Sequence, residues 1–342
     1  MGDPSGNGPE LCIKALYDNR FYDKADVVVI GDYNVLDNAL SFPNMPKLKF
    51  NRISDIDDAL FEKDVIDVYD LGIFSDIGNL KIGKVDALSG LAAFLSVKKA
   101  IELAMEGKVD ATVTNALNKE AMNKALKETD GKYSDAKTHF DGHTEIYAYY
   151  TKTKSYCMML SHKDLRVSHV STHCSLREAC DRVKRKRVEE VITLTDNSLK
   201  RMGIEKPHIA VAGLNPHAGE HGLFGTEEIE EIIPAIEASR SKGVDCVGPV
   251  PPDSVFSEAL GGIYDAVVAM YHDQGHIPLK TVGFVYDRNN KCWKAVEGVN
   301  ITLGLPIIRT SVDHGTGFAL AGKGESSAES LINAINMAIS LL

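Results

Sequence analysis

Hydrophobic and polar positions follow two alternating patterns along the chain. Short β-branched runs bounded by turn residues, such as Ala25–Ile30 and Val65–Tyr69, read as buried strands. Residues 84–106 instead repeat apolar side chains at helical spacing through Leu88, Leu91, Leu95, Ala100 and Leu103, and Val109–Thr114 follows as another strand. The same reading predicts strands at 156–160, 165–170, 208–213, 265–270 and 306–309, and helices at 175–202, 226–242 and 325–341. Such alternation gives a mostly parallel sheet covered by helices, so the predicted fold class is α/β. At the start, Gly2–Glu10 is a loop with no strand before it, and Pro9 suits the first turn of a helix. We therefore expect that a strand has been lost upstream.

The 342 residues exceed one ordinary core and suggest two domains. No repeat or long linker marks the boundary; the polar stretch 127–142 can join two halves, and 285–298 reads as a protruding hairpin or loop around Asn289-Asn290. Hydrophobic residues at 44% and charged residues at 25% exclude disorder, and a net charge of −10 argues against a nucleic-acid partner. The six cysteines, Cys12, Cys157, Cys174, Cys180, Cys246 and Cys292, include no CxxC pair and read as reduced thiols of a cytoplasmic protein. No apolar run approaches the ~20 residues of a membrane span, and no signal-peptide pattern opens the chain.

All 11 histidines lie between His139 and His314. Three of them follow predicted strands: Leu165–Val170 leads to His173, Ile209–Gly213 to His217, and Ala266–Tyr271 to His272. Ligands of parallel α/β sheets gather beyond the carboxyl ends of strands, where three imidazoles can converge on one divalent metal. The competing reading makes them hydrogen-bonded loop histidines. His162, His208 and His221 are expected in loops or facing solvent, while His139, His169 and His276 stay open. Two helix starts fit this layout: Ser175 with Glu178 has the capping-box spacing, and Thr226 precedes two acidic residues. Lys280 and Arg309 suit phosphate or carboxylate, or are surface charges; Asn300 points from a strand; Gly142-His143-Thr144-Glu145 opens a helix whose free N–H groups favour an anion, with Thr144 alternatively a plain cap. The glycine-rich stretch Asp313–Gly324 can hold a nucleotide, although no GxGxxG fingerprint follows a strand.

Five segments in order carry a more specific signal: Gly2–Glu10, Gly142–Glu145, Leu214–Glu220, Met270–Gly275 and Arg309–Thr316. Together they resemble the 4-hydroxythreonine-4-phosphate dehydrogenase family over nearly the whole chain. That resemblance implies an isocitrate/isopropylmalate-dehydrogenase-like fold and a homodimer with active sites at the interface. It implies His173, His217 and His272 as metal ligands, with His272 supplied by the partner subunit, and substrate contacts from His143, Thr144, Lys280, Asn300 and Arg309. It also makes Asp313, His314, Gly315, Gly322 and Lys323 part of an adenine-nucleotide loop. The domains are placed at 1–115 with 300–342, carrying that loop, and at 116–299, carrying metal, substrate and dimer contacts. The run Val170–Cys180 looks more like the branch acting on D-threonate or D-erythronate 4-phosphate, and Val285–Glu297 is longer than in the pyridoxine-pathway form.

The expected reaction is oxidation of a hydroxyl β to a carboxylate by NAD, aided by one divalent ion (zinc, cobalt, magnesium, manganese or nickel), then decarboxylation. Lys280 would hold a charged end, and Asp253 would transfer a proton or, alternatively, cap a helix. D-threonate or D-erythronate 4-phosphate would give dihydroxyacetone phosphate. The alternatives are 4-hydroxy-L-threonine 4-phosphate as substrate, a phosphate acyltransferase on the same superfamily fold, and a silent metabolite-binding protein.

Overall fold

The computed structural model describes residues 1–288, 292–296 and 298–342. The chain forms two compact units: Met1–Thr153 with Pro306–Ile339, and Lys154–Leu305 with Ser340–Leu342. The first unit begins with α1 (Gly8–Leu16), β1 (Val28–Gly31), α2 (Tyr33–Ala39), β2 (Lys49–Ile53), β3 (Val65–Asp70), α3 (Ala87–Met105), β4 (Ala111–Thr114), α4 (Lys119–Glu128) and α5 (His143–Tyr150). The second contains β5 (Cys157–His162), β6 (Leu165–His169), α6 (Leu176–Arg182), α7 (Arg185–Arg201), β7 (Ile209–Ala212), α8 (Ile233–Ser241), β8 (Cys246–Val250), α9 (Val255–Leu260), β9 (Ala266–Ala269), α10 (His272–Gly283), β10 (Phe284–Asp287), β11 (Cys292–Val296) and β12 (Val299–Leu303). The chain then returns to the first unit with β13 (Ile308–Val312) and α11 (Glu329–Ser340).

In the first unit the parallel strands run in the order β1-β3-β2, and β4 pairs in parallel with β13. Leu11, Ile13, Leu36, Val68 and Phe74 fill its core. Asp86 caps α3 by accepting the N–H groups of Leu88 and Ser89. Residues 116–153, expected in the second domain, belong here because α4 and α5 pack on α3. A Cβ at Gly90 of α3 would fall 2.2 Å from the Ala121 carbonyl carbon of α4, so the two helices meet backbone to backbone. Phe94 of α3, Phe140 and Tyr150 of α5 form an aromatic cluster on the same surface.

In the second unit the order is β12-β5-β6-β9-β7-β8. β6, β9, β7 and β8 are mutually parallel, while β5 runs against both β6 and β12. β7 and β9 are buried at every position, which explains their unbroken apolar runs. The expected hairpin is present as the antiparallel pair β10 and β11; the Asn289-Asn290 turn lies outside the described residues. The predicted helix 175–202 is interrupted at Val183-Lys184 by extended backbone. There Glu231 accepts the Arg185 N–H at 2.6 Å and the Lys184 ammonium at 3.1 Å, capping α7 from a distant segment.

Candidate active site

Four neighbouring parallel strands each release a candidate residue at the same, carboxyl, end of the second unit's sheet. His173 follows β6, His272 opens α10 after β9, His217 lies in the turn after β7, and Asp253 lies in the turn after β8. This is the end of an α/β sheet where ligands collect. The rings of His173 and His272 have centroids 5.8 Å apart. The His272 Nδ1 pairs with the Asp273 carboxylate at 2.7 Å, and its ring stacks on His276 with centroids 3.6 Å apart and planes at 11°. His276 donates from Nδ1 to the His272 carbonyl at 2.9 Å. His169 lies beneath, its ring 4.8 Å from that of His276. It donates from Nδ1 to the Met158 carbonyl, its buried Nε2 has no hydrogen-bond partner, and burial, reinforced by His276, pushes its pKa down to about 3.

These residues fit a divalent ion in donor chemistry and strand placement. Two imidazoles sharing an ion at about 2.0–2.1 Å place their ring centres about 4.5–5 Å apart at octahedral or tetrahedral angles, and the rings of His173 and His272 stand somewhat wider, at 5.8 Å. As the side chains stand, no three His, Cys, Asp or Glu residues among those described close on a common point. Asp253 is exposed, and it is not the cap of α9; that position belongs to Ser254, which makes no side-chain capping bond.

Lys280 lies two helical turns beyond His272, one turn from His276, and Asn300 lies beside Met158, whose carbonyl accepts from His169. Helix α10 starts at the carboxyl end of β9 and runs back along the sheet. Its Gly275 lies against His169, at the carboxyl end of β6, and its Gly283 against His162, which pairs with Leu165 at the amino end of β6. Eight residues of helix, about 12 Å, separate His272 from Lys280, whose ammonium lies 5.3 Å from the Phe284 ring centroid. Asn300 pairs with Leu160 in β12–β5, donates from Nδ2 to the Met158 sulfur at 2.9 Å, and has a buried Oδ1 with no partner.

His143, Thr144 and Arg309 lie in the first unit. Arg309, only 3% exposed, projects from β13, donates to the Thr114 hydroxyl at 2.8 Å and lies 5.5 Å over the Tyr147 ring. Burial lowers its pKa to about 10. His143 is the first residue of α5; burial, then the cations Arg309 and Lys119, hold it well below the usual imidazole range, and its Nε2 is buried without a partner. The cap of α5 is Gly142, so Thr144 is not a cap. In the same unit, glycine-rich segments from opposite ends of the chain pack together. Asn7 N–H donates to the Thr316 carbonyl at 2.9 Å, and Glu10 accepts the N–H groups of Gly324 and Ser326 at 3.2 and 2.9 Å. Within that segment Asp313 N–H meets the Ser330 hydroxyl at 3.4 Å, His314 donates to the Gly315 carbonyl at 2.8 Å, Gly322 has φ +76°, and Lys323 is exposed.

The family model described as pyridoxal phosphate biosynthetic protein PdxA matches residues 23–338. The chain belongs to the PdxA family. It is 46% identical over 341 residues to D-threonate 4-phosphate dehydrogenase of Pectobacterium atrosepticum, covering 100% of this chain and 97% of that protein. The protein of the same name from Salmonella typhimurium matches at the same identity and coverage. Among solved structures, a 4-hydroxythreonine-4-phosphate dehydrogenase from Klebsiella pneumoniae superposes with a TM-score of 0.84 at 43% identity, over 100% of this chain and 97% of that one. The α/β architecture is thus the isocitrate-dehydrogenase-like fold of PdxA dehydrogenases, as the sequence motifs implied.

Within this PdxA chain, three side chains that support candidate residues carried no signal in the sequence. Lys119 lies near Gly142, Glu228 fastens the turn that leads to His217, and Gln274 joins the ends of β7 and β9. Glu228 stands in an acidic run that reads as an ordinary helix start, and only the fold turns it back towards Asn215. His162, expected to face solvent, is 4% exposed because α10 covers β5.

Proposed function

We propose that this PdxA-family dehydrogenase oxidises and decarboxylates D-threonate or D-erythronate 4-phosphate to dihydroxyacetone phosphate and CO2, using NAD and one divalent ion. The observation that carries the proposal is the presence of His173, His272 and His217 at the ends of three adjacent strands. The substrate class is supported by whole-length likeness to proteins named D-threonate 4-phosphate dehydrogenase.

His173, His217 and His272 would hold the ion, and imidazole donors suit zinc, cobalt or nickel, with magnesium or manganese also possible on the chemistry of related sites. A bound ion supplies Lewis-acid polarisation of substrate oxygens, and NAD, against Asp313, His314, Gly315, Gly322 and Lys323, supplies the hydride acceptor. The rigid, donor-rich guanidinium of Arg309 and the ammonium of Lys280 bind the charged ends of the substrate, with Thr144 and Asn300 as neutral hydrogen-bonding groups. His143, kept neutral by its surroundings, presents Nε2 to a hydroxyl. Asp253 takes the proton of the hydroxyl that is oxidised. The resulting β-keto acid loses CO2, and the carbon left behind is protonated to give the ketone.

We propose a homodimer with shared active sites. The resemblance carried by the sequence motifs supports it, with α10 and its His272 lent to the partner subunit's site. Five free cysteines among the described residues agree with a reducing, cytoplasmic setting.

The second reading, 4-hydroxy-L-threonine 4-phosphate as substrate, is favoured by the name of the Klebsiella pneumoniae structure. NADH formation with each of the three phosphates, with and without chelator, separates the readings. We expect chelator-sensitive turnover of a four-carbon acid phosphate. Turnover of 4-hydroxy-L-threonine 4-phosphate alone moves the assignment to the second reading; no turnover by folded, metal-loaded protein overturns both.

A further inference from the structure

We propose that Glu228 and Gln274 form a buried brace that positions His217 and His272, and so sets metal affinity; the inference rests on the histidine reading above. Neither residue reaches the candidate site itself. Glu228 is 2% exposed and Gln274 is 7% exposed, burial that polar side chains tolerate only when their hydrogen bonds are made.

The turn after β7 needs such support. His217, Ala218, Gly219, Glu220 and His221 have φ of +52°, +55°, +80°, +44° and +56°, five consecutive left-handed residues of which only one is glycine. Side-chain-bearing residues avoid that region, and such strain persists only where the surroundings over-determine it. Glu228 supplies the restraint. Its Oε1 accepts the N–H groups of Leu214 at 2.7 Å and Asn215 at 2.8 Å, and its Oε2 accepts the Asn215 side-chain amide at 2.9 Å. A Cβ at Gly219 would lie 2.6 Å from Oε2, so the loop closes directly over the carboxylate. Glu228 is held at this spot by a π-helical turn, Glu228–Ile232, a distortion found frequently at functional sites.

Gln274 ties this loop to the next strand. Its Oε1 accepts the Met270 N–H at 2.6 Å, at the end of β9, and its Nε2 donates to the Gly213 carbonyl at 2.7 Å, at the end of β7. One side chain therefore fixes the distance between the two strand exits that lead to His217 and His272. Both polar ends of the amide are used, so neither Glu nor Met can replace it without losing a bond.

The test uses the cobalt-loaded protein titrated with a competing chelator, with the visible absorption of Co2+ recorded and folding checked by circular dichroism. Glu228→Gln turns one accepting oxygen into an NH2 donor that faces the N–H donors of Leu214 and Asn215, and Gln274→Met removes both bonds at similar volume. Each variant is expected to weaken Co2+ binding about 10- to 100-fold, the usual effect of losing a group that orients metal ligands, and to change the Co2+ spectrum. His217→Ala is run beside them. Loss of Co2+ in His217→Ala with affinity within about twofold and an unchanged spectrum in either folded brace variant overturns the brace alone. Unchanged affinity in His217→Ala overturns the metal reading itself. If Glu228→Gln does not fold, Gln274→Met decides by the same two measurements.

Discussion

His173 and His272 face one another with ring centroids 5.8 Å apart, although they leave different strands. Replacing either imidazole by Ala should remove a donor that the rest of the site cannot supply. We expect His272→Ala to lower kcat/KM about 100- to 1,000-fold, the range for one lost electrostatic group of an active site, with thermal stability little changed. Steady-state NADH formation beside a thermal melt checks it. A variant with normal turnover would remove His272 from the site.

A shared site makes a sharper claim, because His217 and Lys280 would then serve one active site from two chains. His217→Ala and Lys280→Ala should each be inactive alone. Mixing the two by co-expression should restore about a quarter of the activity, since half of the dimers are mixed and each has one intact site of two. If both residues act from the same chain, every site in the mixed dimer carries a defect and no activity returns.

Arg309 combines a hydrogen bond to Thr114 with a position over the Tyr147 ring. Lys cannot reproduce the planar fork or the stacking. Arg309→Lys should lower kcat/KM about 10- to 100-fold, corresponding to one lost charge-assisted hydrogen bond of about 1.5–3 kcal/mol. Kinetics with the phosphorylated substrate against its unphosphorylated analogue show which end Arg309 holds: the loss should vanish for the analogue if it binds phosphate.

Acid should destabilise the folded chain through His169. Burial holds its pKa near 3, so below the ordinary imidazole value the unfolded chain binds a proton that the folded chain refuses. Its contribution is fully present above pH about 6.5 and is lost as pH falls, by about 2 kcal/mol at pH 5. His143, shifted the same way, adds to the slope. Urea denaturation of metal-free protein at pH 7.5 and pH 5 should show a smaller difference for His169→Gln than for the unaltered protein; equal differences would contradict the assignment.

Much of this architecture could be read from local pattern. β7 and β9 were legible because parallel strands covered on both faces need continuous apolar runs. Their histidines were legible because each stands just beyond such a run. β2 and β8 were not, since β2 is an edge strand of mixed polarity and β8 contains Gly248-Pro249, tolerated at a sheet edge. The break between α6 and α7 escaped because its cap, Glu231, comes from another segment. Glu228 and Gln274 escaped for the same reason: their role lies in partners fixed only when β7, β8 and β9 stand side by side. The direction of α10, which separates Lys280 from His272, is likewise a property of packing and not of spacing.

That helix has a consequence for how activity depends on concentration. Among the described residues of a lone chain no three ligand side chains close on one point, so in a shared site metal and substrate alike would depend on the partner subunit's α10. Metal content and turnover would then fall together on dilution. Specific activity and bound metal per chain would fall once protomers separate, and adding back an inactive His217→Ala chain would revive both by lending the dispersed protomers its α10.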